Sequence, residues 1–262
     1  MASPRYGICR LCGNYDKLTF EHIPPKKAFN NKQILLRTFE KLIAEKSKYR
    51  EPFYKGLGRY SLCERCNNLT GTWYGSAFVN FIEQGLVYYE SVKSNKILTL
   101  PYYIRPLNVL KQILMMMLAM QPPNAPTYHR ELRRYLLSRT NLQLPSEYKI
   151  YLYYFAAGQL RFESGTAKLD VNNGGGSLVL AEVTIPPFGY FVTSTNNKLK
   201  PNPVLKQLCD ITWFNQYQYN VWTRLHLRIP SKETHFPTPL DYRTFEDMRE
   251  ESEKEKINNE QT

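Results

Sequence analysis

The chain has 262 residues, of which 42% are hydrophobic and 14% aromatic, so it can bury a substantial core, and a wholly disordered chain is excluded. Its formal net charge is +12, spread unevenly: residues 1–70 hold 14 basic and 6 acidic side chains, whereas residues 241–262 hold 4 and 8. A basic body with an acidic tail favours a polyanionic partner, and nucleic acid is the first candidate.

The sequence pattern carries no signal for a membrane or for secretion. The most apolar stretch, Ile113–Met120, is far shorter than the roughly 20 residues that span a bilayer. The N-terminus, MASPRYGICRLCG, lacks the apolar segment of a signal peptide. The sequence therefore predicts a cytoplasmic protein with no membrane contact, in a compartment where paired cysteines more often hold a metal than form a disulfide.

The sequence predicts four helices between residues 32 and 139, the last of them short and basic. Their bounds are Lys32–Tyr49, Thr72–Val92, Pro106–Met120 and Tyr128–Arg139. The third has the clearest limits, because Pro106 suits a first turn and the prolines after Gln121 stop the helix. Its run of methionines, Met115–Met117, is interpreted as flexible core filler rather than a cofactor site.

Aromatic and β-branched residues dominate the second half of the chain and predict strands separated by turns rich in Gly and Asn. The strands are Tyr148–Phe155, Leu178–Ile185, Tyr190–Thr195 and Tyr219–Ile229, with Asn172–Gly176 as the clearest turn. They predict an antiparallel sheet of about four to six strands. Beyond Phe245 the chain is expected to be a charged helix or disordered.

Several aromatic side chains of this half could stack on nucleic-acid bases, although a sheet core or a protein interface is favoured for them. The set is Tyr151, Tyr153, Tyr154, Trp213, Tyr217, Tyr219 and Trp222.

Two cysteine pairs, Cys9-x-x-Cys12 and Cys63-x-x-Cys66, form the strongest motif. Two residues between thiolates is the spacing at which a tight turn points both sulfurs at one ion, and two such turns complete a tetrahedral zinc site. Gly13 helps the first turn by accepting a positive φ. The sequence therefore predicts one structural Zn2+ per chain.

The segment between the two pairs holds a second candidate motif, Phe20-Glu21-His22-Ile23-Pro24-Pro25. A carboxylate beside a histidine, followed by rigid prolines, is typical of an active-site element. In a strand these neighbours would point to opposite faces, so they converge only at a strand end or a bend. Asn67 follows the last cysteine and should lie at the start of a helix, with its side-chain oxygen free for a metal ion.

Taken in order, Cys9-x-x-Cys12, Glu21-His22-Ile23-x-Pro25 and Cys63-x-x-Cys66-Asn67 resemble the four-cysteine branch of the HNH endonucleases, the ββα-metal or His-Me finger superfamily. The resemblance covers roughly residues 5–75. It implies that Glu21 and Asn67 hold a catalytic Mg2+ or Mn2+ and that His22 is the general base. Many stand-alone bacterial proteins that this chain resembles are effectors of antiphage defence or of mobile elements.

The chain departs from the family pattern at two positions. Gly58 stands where the family has a middle asparagine that braces the active-site loop, and the acidic residue is Glu21 rather than the more frequent aspartate. The helix expected at Lys32–Tyr49 would be an insertion between the two hairpin strands.

The expected fold class is α+β. A zinc-stapled ββα-metal (treble-clef-like) module occupies residues 1–75, an accessory region 76–245 (helices 76–140, sheet 148–230), and a charged tail 246–262. The accessory region could bind a regulatory protein or a second copy of the chain.

The chemistry of the residues agrees with phosphodiester hydrolysis, with DNA favoured over RNA. A histidine accepts a proton near neutral pH, and hard oxygen ligands suit Mg2+. Lys26, Lys27 and Arg65 could grip phosphates. Two alternatives stay open: a non-catalytic zinc module that binds nucleic acid, and a zinc-stapled scaffold that docks a partner protein.

Overall fold

A computed structural model describes residues 4–31, 34–36, 51–53, 56–92, 97–122, 129–157, 160–170, 176–195 and 205–233. It contains helices and several sheets, so the α+β class is confirmed. Among the described residues, no helix combines the length and the apolar character that crossing a membrane requires.

The N-terminal part is a small antiparallel sheet of three strands in the order β1-β2-β5. The strands are β1 (Tyr6–Ile8), β2 (Tyr15–His22) and β5 (Gly58–Cys63). Between β2 and β5, β3 (Ile34–Leu36) pairs with β4 (Glu51–Phe53) as a separate two-stranded sheet.

The helix predicted at Lys32–Tyr49 is therefore wrong at Ile34–Leu36. A short apolar run fits a strand as well as a helix, and pairing with β4 decides between them. The remainder of that predicted helix lies outside the described residues.

A continuous helical run follows β5. It begins eight residues earlier than the predicted helix Thr72–Val92 and ends at the same residue. It consists of α1 (Glu64–Thr70), a π-helical turn (Gly71–Gly75) and α2 (Ser76–Val92). Its first turn carries Cys66 and Asn67, so the expectation that the second cysteine pair leads into a helix is confirmed. The domain boundary expected after residue 75 falls inside this run.

The helix α3 spans Pro106–Met120, with the bounds that the sequence predicts, and every one of its residues is buried. The methionines Met115–Met117 belong to the main apolar core, as their interpretation as core filler requires. The predicted basic helix is shorter than expected, and α4 spans Arg130–Leu137.

The C-terminal sheet has six strands, in the order β11-β7-β10-β9-β8, with β13 parallel to β7. Its members are β7 (Tyr148–Ala157), β8 (Arg161–Asp170), β9 (Gly176–Ile185), β10 (Phe188–Thr195), β11 (Cys209–Asp210) and β13 (Ser231–Glu233). Two short 3-10 helices, Leu205–Gln207 and Thr212–Gln216, flank β11. The prediction of an antiparallel sheet of four to six strands is confirmed, except that β13 runs parallel to β7.

One predicted member of that sheet lies elsewhere. The strand expected at Tyr219–Ile229 begins only at Thr223, and β12 (Thr223–Ile229) pairs with β6 (Leu98–Ile104). The partner β6 contains Pro101, which weakens the local strand signal, and its pairing with β12 is fixed by tertiary context. The predicted turn Asn172–Gly176 lies outside the described residues except for Gly176, which begins β9.

One apolar core joins these parts, because its members include Leu18 of the N-terminal sheet, Leu114 of α3 and Val183 of β9. Two arginines of the N-terminal part also bond to the end of α3. Arg59 Nη1 donates to the Met120 carbonyl at 2.9 Å, and Arg10 Nε donates to the Gln121 carbonyl at 3.2 Å. Cations at a helix C-terminus satisfy its last carbonyl groups.

Candidate metal centre and active-site cleft

The four cysteines of the paired motif meet at one point. The sulfur atoms of Cys9, Cys12, Cys63 and Cys66 all lie within 4.8 Å of one another, and those of Cys12 and Cys63 are 3.9 Å apart. A tetrahedron with Zn–S bonds of about 2.3 Å places its sulfurs about 3.8 Å apart. The cluster could therefore hold a metal ion such as zinc.

The backbone around the first pair explains why the sulfurs converge. The Gly13 N–H donates to the Cys9 carbonyl at 2.9 Å, and Gly13 has a φ of +82°, as expected for a glycine that closes the turn. The Arg10 N–H donates to the Ser61 carbonyl at 2.9 Å, which ties this turn to β5. The Cys63 N–H in turn donates to the Cys9 sulfur at 3.3 Å.

The electrostatics of the cluster also suit a cation. A hydrogen bond from the Cys66 thiol lowers the pKa of Cys9 to about 4. The same bond is the main cause that raises the pKa of Cys66, and burial is the second. Burial also raises the pKa of Cys12. Without a metal, one thiolate is thus hydrogen-bonded by neighbouring thiols. Binding of a metal ion would replace the protons of those thiols.

An open cleft of about 680 Å3 lies beside this cluster, between the end of β2 and the helical run. The lining residues that the sequence singles out are Glu21, His22, Lys26, Lys27 and Asn67. Arg65 is exposed on α1 and does not line the cleft. The structure thus brings together the carboxylate, imidazole, amide and both lysines, and leaves out the arginine.

Glu21 and His22 both reach the cleft because they are the last two residues of β2. The chain bends directly after His22, at Ile23–Pro24, so the alternation of a regular strand no longer applies. The ring of Phe20 packs edge-on against the His22 imidazole, with centroids 5.0 Å apart, and against Tyr60 in the same manner at 5.4 Å. These contacts restrict the orientation of the imidazole.

Burial raises the pKa of Glu21 to about 7. Desolvation disfavours an ionised carboxylate, and a nearby cation reverses that effect. A divalent ion bound at this carboxylate would therefore stabilise its charged form.

The Asn67 amide has a defined direction. Thr19 Oγ1 donates its one hydrogen to the Leu62 carbonyl at 2.9 Å, so toward Asn67 it acts as the acceptor. Asn67 Nδ2 donates to that oxygen at 3.0 Å. The Oδ1 atom accepts no bond from any described residue and is the amide atom left for a ligand in the cleft. A carboxylate and an amide oxygen are the hard ligands that Mg2+ prefers.

Asn30, which no sequence motif marks, is buried and braces the loop that follows His22. Its Nδ2 donates to the carbonyls of Pro24 and Leu57, and its Oδ1 accepts the Leu57 N–H; each of these three bonds is 2.7 Å long. Gly56 makes this contact possible, because it has a φ of +96° and a Cβ there would lie 2.1 Å from the Asn30 carbonyl oxygen. An asparagine between prolines and a glycine turn is the only sequence signal.

Gly58 occupies the position where the family pattern has asparagine, and it faces His22 across the β2–β5 ladder. A Cβ at Gly58 would lie 2.2 Å from the Glu21 carbonyl oxygen. No side chain fits there without displacing the strand that carries the site. Asn30 connects the loop after β2 to Leu57, the residue before β5.

The helical run forms the opposite wall of the cleft, and no sequence motif marks this wall. Its lining residues are Gly71, Gly75, Ser76, Val79, Asn80 and Glu83, with Gln112 of α3. No described heavy atom lies within 4 Å of the Cβ position at Gly71 or Gly75, so both glycines face open space. Glu83, exposed on α2, is the second carboxylate of the lining.

The cleft is not lined by the aromatic residues singled out from the sequence, nor by His129 or the fifth cysteine, Cys209. Tyr153 and Tyr154 are buried in the C-terminal sheet, whereas Trp213 and Trp222 are partly exposed. His129 Nδ1 is 2.9 Å from the Tyr148 hydroxyl. Burial raises the pKa of the Cys209 thiol to about 12, which disfavours the reactive thiolate.

Comparison with known proteins finds no family model, no curated protein and no solved structure that matches this chain.

Proposed function

We propose that the chain is a metal-dependent endonuclease of the HNH type that hydrolyses phosphodiester bonds, with DNA as the preferred substrate. The observation that carries this proposal is the cleft itself. Glu21, His22 and Asn67 line it together, and Asn67 directly follows Cys66 of the four-cysteine cluster. A general base and two hard metal ligands in one open cleft are the minimal set for metal-assisted hydrolysis.

The four cysteines would hold one structural Zn2+. Four thiolates close the shell of a zinc ion, so this site supplies stability rather than catalysis. Its first two ligands lie before β2 and its last two at the β5–α1 junction, and the ion would therefore fix β2 against the helix that carries Asn67.

Glu21 and Asn67 would hold the catalytic Mg2+ or Mn2+, which supplies stabilisation of the charge that develops on the leaving 3′ oxygen. The imidazole of His22 would accept the proton of the attacking water, since histidine titrates near neutral pH. Packing against Phe20 holds the ring toward the cleft. Lys26 and Lys27, exposed at the rim, would contact the phosphates on either side.

The direct test is incubation of supercoiled plasmid with the purified full chain, with and without added Mg2+ or Mn2+. Cleavage should require the divalent ion and should fall at least a hundredfold in His22→Ala, the loss typical for a general base. The matched control is His129→Gln, whose histidine lies outside the cleft. Binding of plasmid without cleavage under all conditions would favour a non-catalytic zinc module instead.

A further inference from the structure

The two-stranded ribbon of β6 and β12 has one cationic face. Along β12, Leu225, Leu227 and Ile229 are buried, whereas the intervening residues are exposed. Those exposed residues are Arg224, His226 and Arg228. The strand alternation thus places three basic side chains in a row on the outer face.

An aromatic stack continues this row at one end of the ribbon. The rings of Tyr103 and Trp222 lie nearly parallel, at 20° with centroids 5.0 Å apart, and the Arg105 guanidinium lies 4.8 Å from the Trp222 ring. Tyr103 is 54% exposed and Trp222 42%, so the stack faces solvent. Arg224 pairs directly with Tyr103 across the ribbon. Exposed aromatics interleaved with arginines are a stacking platform for bases.

Two hydrogen-bonded bridges connect this platform to the cleft. Arg105 Nη2 donates to Ser76 Oγ at 3.0 Å. Gln84 Nε2 donates both to Asn80 Oδ1 at 2.7 Å and to the Tyr103 carbonyl at 2.8 Å. Ser76 and Asn80 line the cleft, so the platform and the cleft share the wall formed by α2.

We propose that the outer face of the β6–β12 ribbon, formed by Tyr103, Arg105, Trp222, Arg224, His226 and Arg228, binds the nucleic-acid strand where it leaves the cleft. This inference rests on the proposed nuclease function and extends it to the substrate beyond the scissile phosphate. A polyanion is the occupant that fits, because the described segments 97–105 and 219–229 contain no acidic side chain. Arg224 and Arg228 form no salt bridge with a described residue, so both guanidinium groups are available to phosphates.

The length of the ribbon sets how much of the strand it covers. Each strand has seven residues. At about 3.3 Å per residue the ribbon spans roughly 23 Å, the length of about six or seven nucleotides at 3.4 Å each. Substrates should therefore gain affinity as they are extended by about that number of nucleotides beyond the cleft, and no further.

The test is fluorescence anisotropy of labelled oligonucleotides of increasing length, on the full chain without added divalent ion. The double variant Arg224→Ala/Arg228→Ala should bind long oligonucleotides at least tenfold more weakly. The slope of log K against log salt concentration should become less negative by about 1.4 to 1.8, the change expected for two lost phosphate contacts. Trp222→Ala should weaken binding by about fivefold or more.

The matched control is Arg130→Ala/Arg134→Ala, which removes the same charge from exposed positions of α4. Equal weakening by both pairs, or a ribbon variant that binds like the parent, overturns the inference, as does a parent that binds no oligonucleotide. Cleavage of a short oligonucleotide with Mg2+ is measured in parallel. Ribbon-dependent binding without cleavage refutes the nuclease function and leaves the ribbon interface standing.

Discussion

Asn30 hydrogen-bonds both main-chain polar groups of Leu57: its Nδ2 donates to the Leu57 carbonyl and its Oδ1 accepts the Leu57 N–H, both at 2.7 Å. Both residues are buried, and the same Nδ2 also reaches the Pro24 carbonyl. The Leu57 N–H and the Pro24 carbonyl have no other partner among the described residues, whereas the Leu57 carbonyl also accepts the Ile23 N–H at 3.0 Å. Because Pro24 follows His22 by two residues and Leu57 precedes β5, this side chain fixes the loop beneath the imidazole.

Replacing Asn30 should damage both stability and activity. Asn30→Ala leaves the Leu57 N–H and the Pro24 carbonyl without a partner among the described residues, so we expect a loss of about 2–3 kcal/mol in the free energy of unfolding. Cleavage should fall further than the folded fraction does, because the His22 loop loses its brace. Urea denaturation and plasmid cleavage measure the two effects. Asn14→Ala, at an exposed position, is the control, and a loss below about 0.5 kcal/mol would refute the brace.

Metal content tests the four-cysteine cluster. Purified protein should contain one zinc per chain, and Cys63→Ser should lose the zinc and become insoluble or unfolded in its N-terminal part, since structural zinc contributes on the order of 10 kcal/mol to folding. The control is Cys209→Ser, whose cysteine lies outside the cluster and should leave the zinc in place. Elemental analysis that finds no zinc in the parent contradicts the assignment.

The catalytic ion should be separable from the zinc, because hard oxygen ligands hold a divalent ion less tightly than four thiolates. Mild EDTA and dialysis should remove activity with zinc retained, and Mg2+ or Mn2+ should restore it. Glu21→Gln and Asn67→Ala should each raise the Mg2+ concentration for half-maximal cleavage, Glu21→Gln by the larger factor because it removes a charge.

Two neighbouring positions provide matched controls for that metal titration. Glu83 is an exposed carboxylate of the same cleft, and Asn68 is the exposed amide beside Asn67. Glu83→Gln and Asn68→Ala should titrate with Mg2+ like the parent. If the Glu21 and Asn67 variants also do so, these two residues are not ligands.

Gly71 offers a steric test of the cleft. Its Cβ position faces open space, so Gly71→Leu should fill part of the cleft and lower cleavage at least tenfold. The free energy of unfolding should stay level or rise, because glycine is the poorer helix former by roughly 0.5–1 kcal/mol. Gly71→Ala is the control for the backbone change. Full activity of the leucine variant would exclude this cleft as the substrate site.

The buried Lys111 predicts a pH dependence of stability. Its Nζ donates to the carbonyls of Ser138, Tyr135 and Arg139 at 2.6, 3.1 and 3.4 Å, which closes the C-terminal end of α4. Burial lowers the pKa of Lys111 to about 7. The unfolded chain keeps this proton up to about pH 10.4, so between the two values it binds more protons than the folded protein.

Stability conferred by Lys111 should therefore be present above about pH 10 and be lost as the pH falls to about 7. Relative to Lys111→Met, the parent should gain unfolding free energy between about pH 7 and pH 9, by up to roughly 1.4 kcal/mol per unit. Urea titrations at several pH values measure this difference. A difference that is independent of pH would contradict the buried titration.

The parts of the fold that are predictable from sequence have local causes. The helix α3 begins at Pro106 and ends before Gln121 because proline is favoured in a first turn and the following prolines cannot continue a helix. Within each cysteine pair the two sulfurs converge because two residues separate them. In each case the deciding residues are neighbours in the chain.

The features that escaped prediction depend on contacts between distant residues. Ile34–Leu36 is a strand because of β4, and β12 leaves the large sheet because of β6, a strand with an internal proline. Asn30 carries no motif, and its role is visible only once Leu57 lies beside it. Whether Glu21, His22 and Asn67 act as ligands and base stays a prediction until cleavage is measured.

The π-helical turn at Gly71–Gly75 sets the angular phase between the two ends of the helical run. The lining residues Asn67, Gly71, Gly75, Val79 and Glu83 recur every four positions. In an α-helix, side chains four positions apart differ in direction by about 40° around the helix axis. A π-helical turn contains more residues per turn and reduces this difference. Deleting one residue there would rotate all of α2 by about 100° relative to the cysteines, and the platform would no longer continue the cleft.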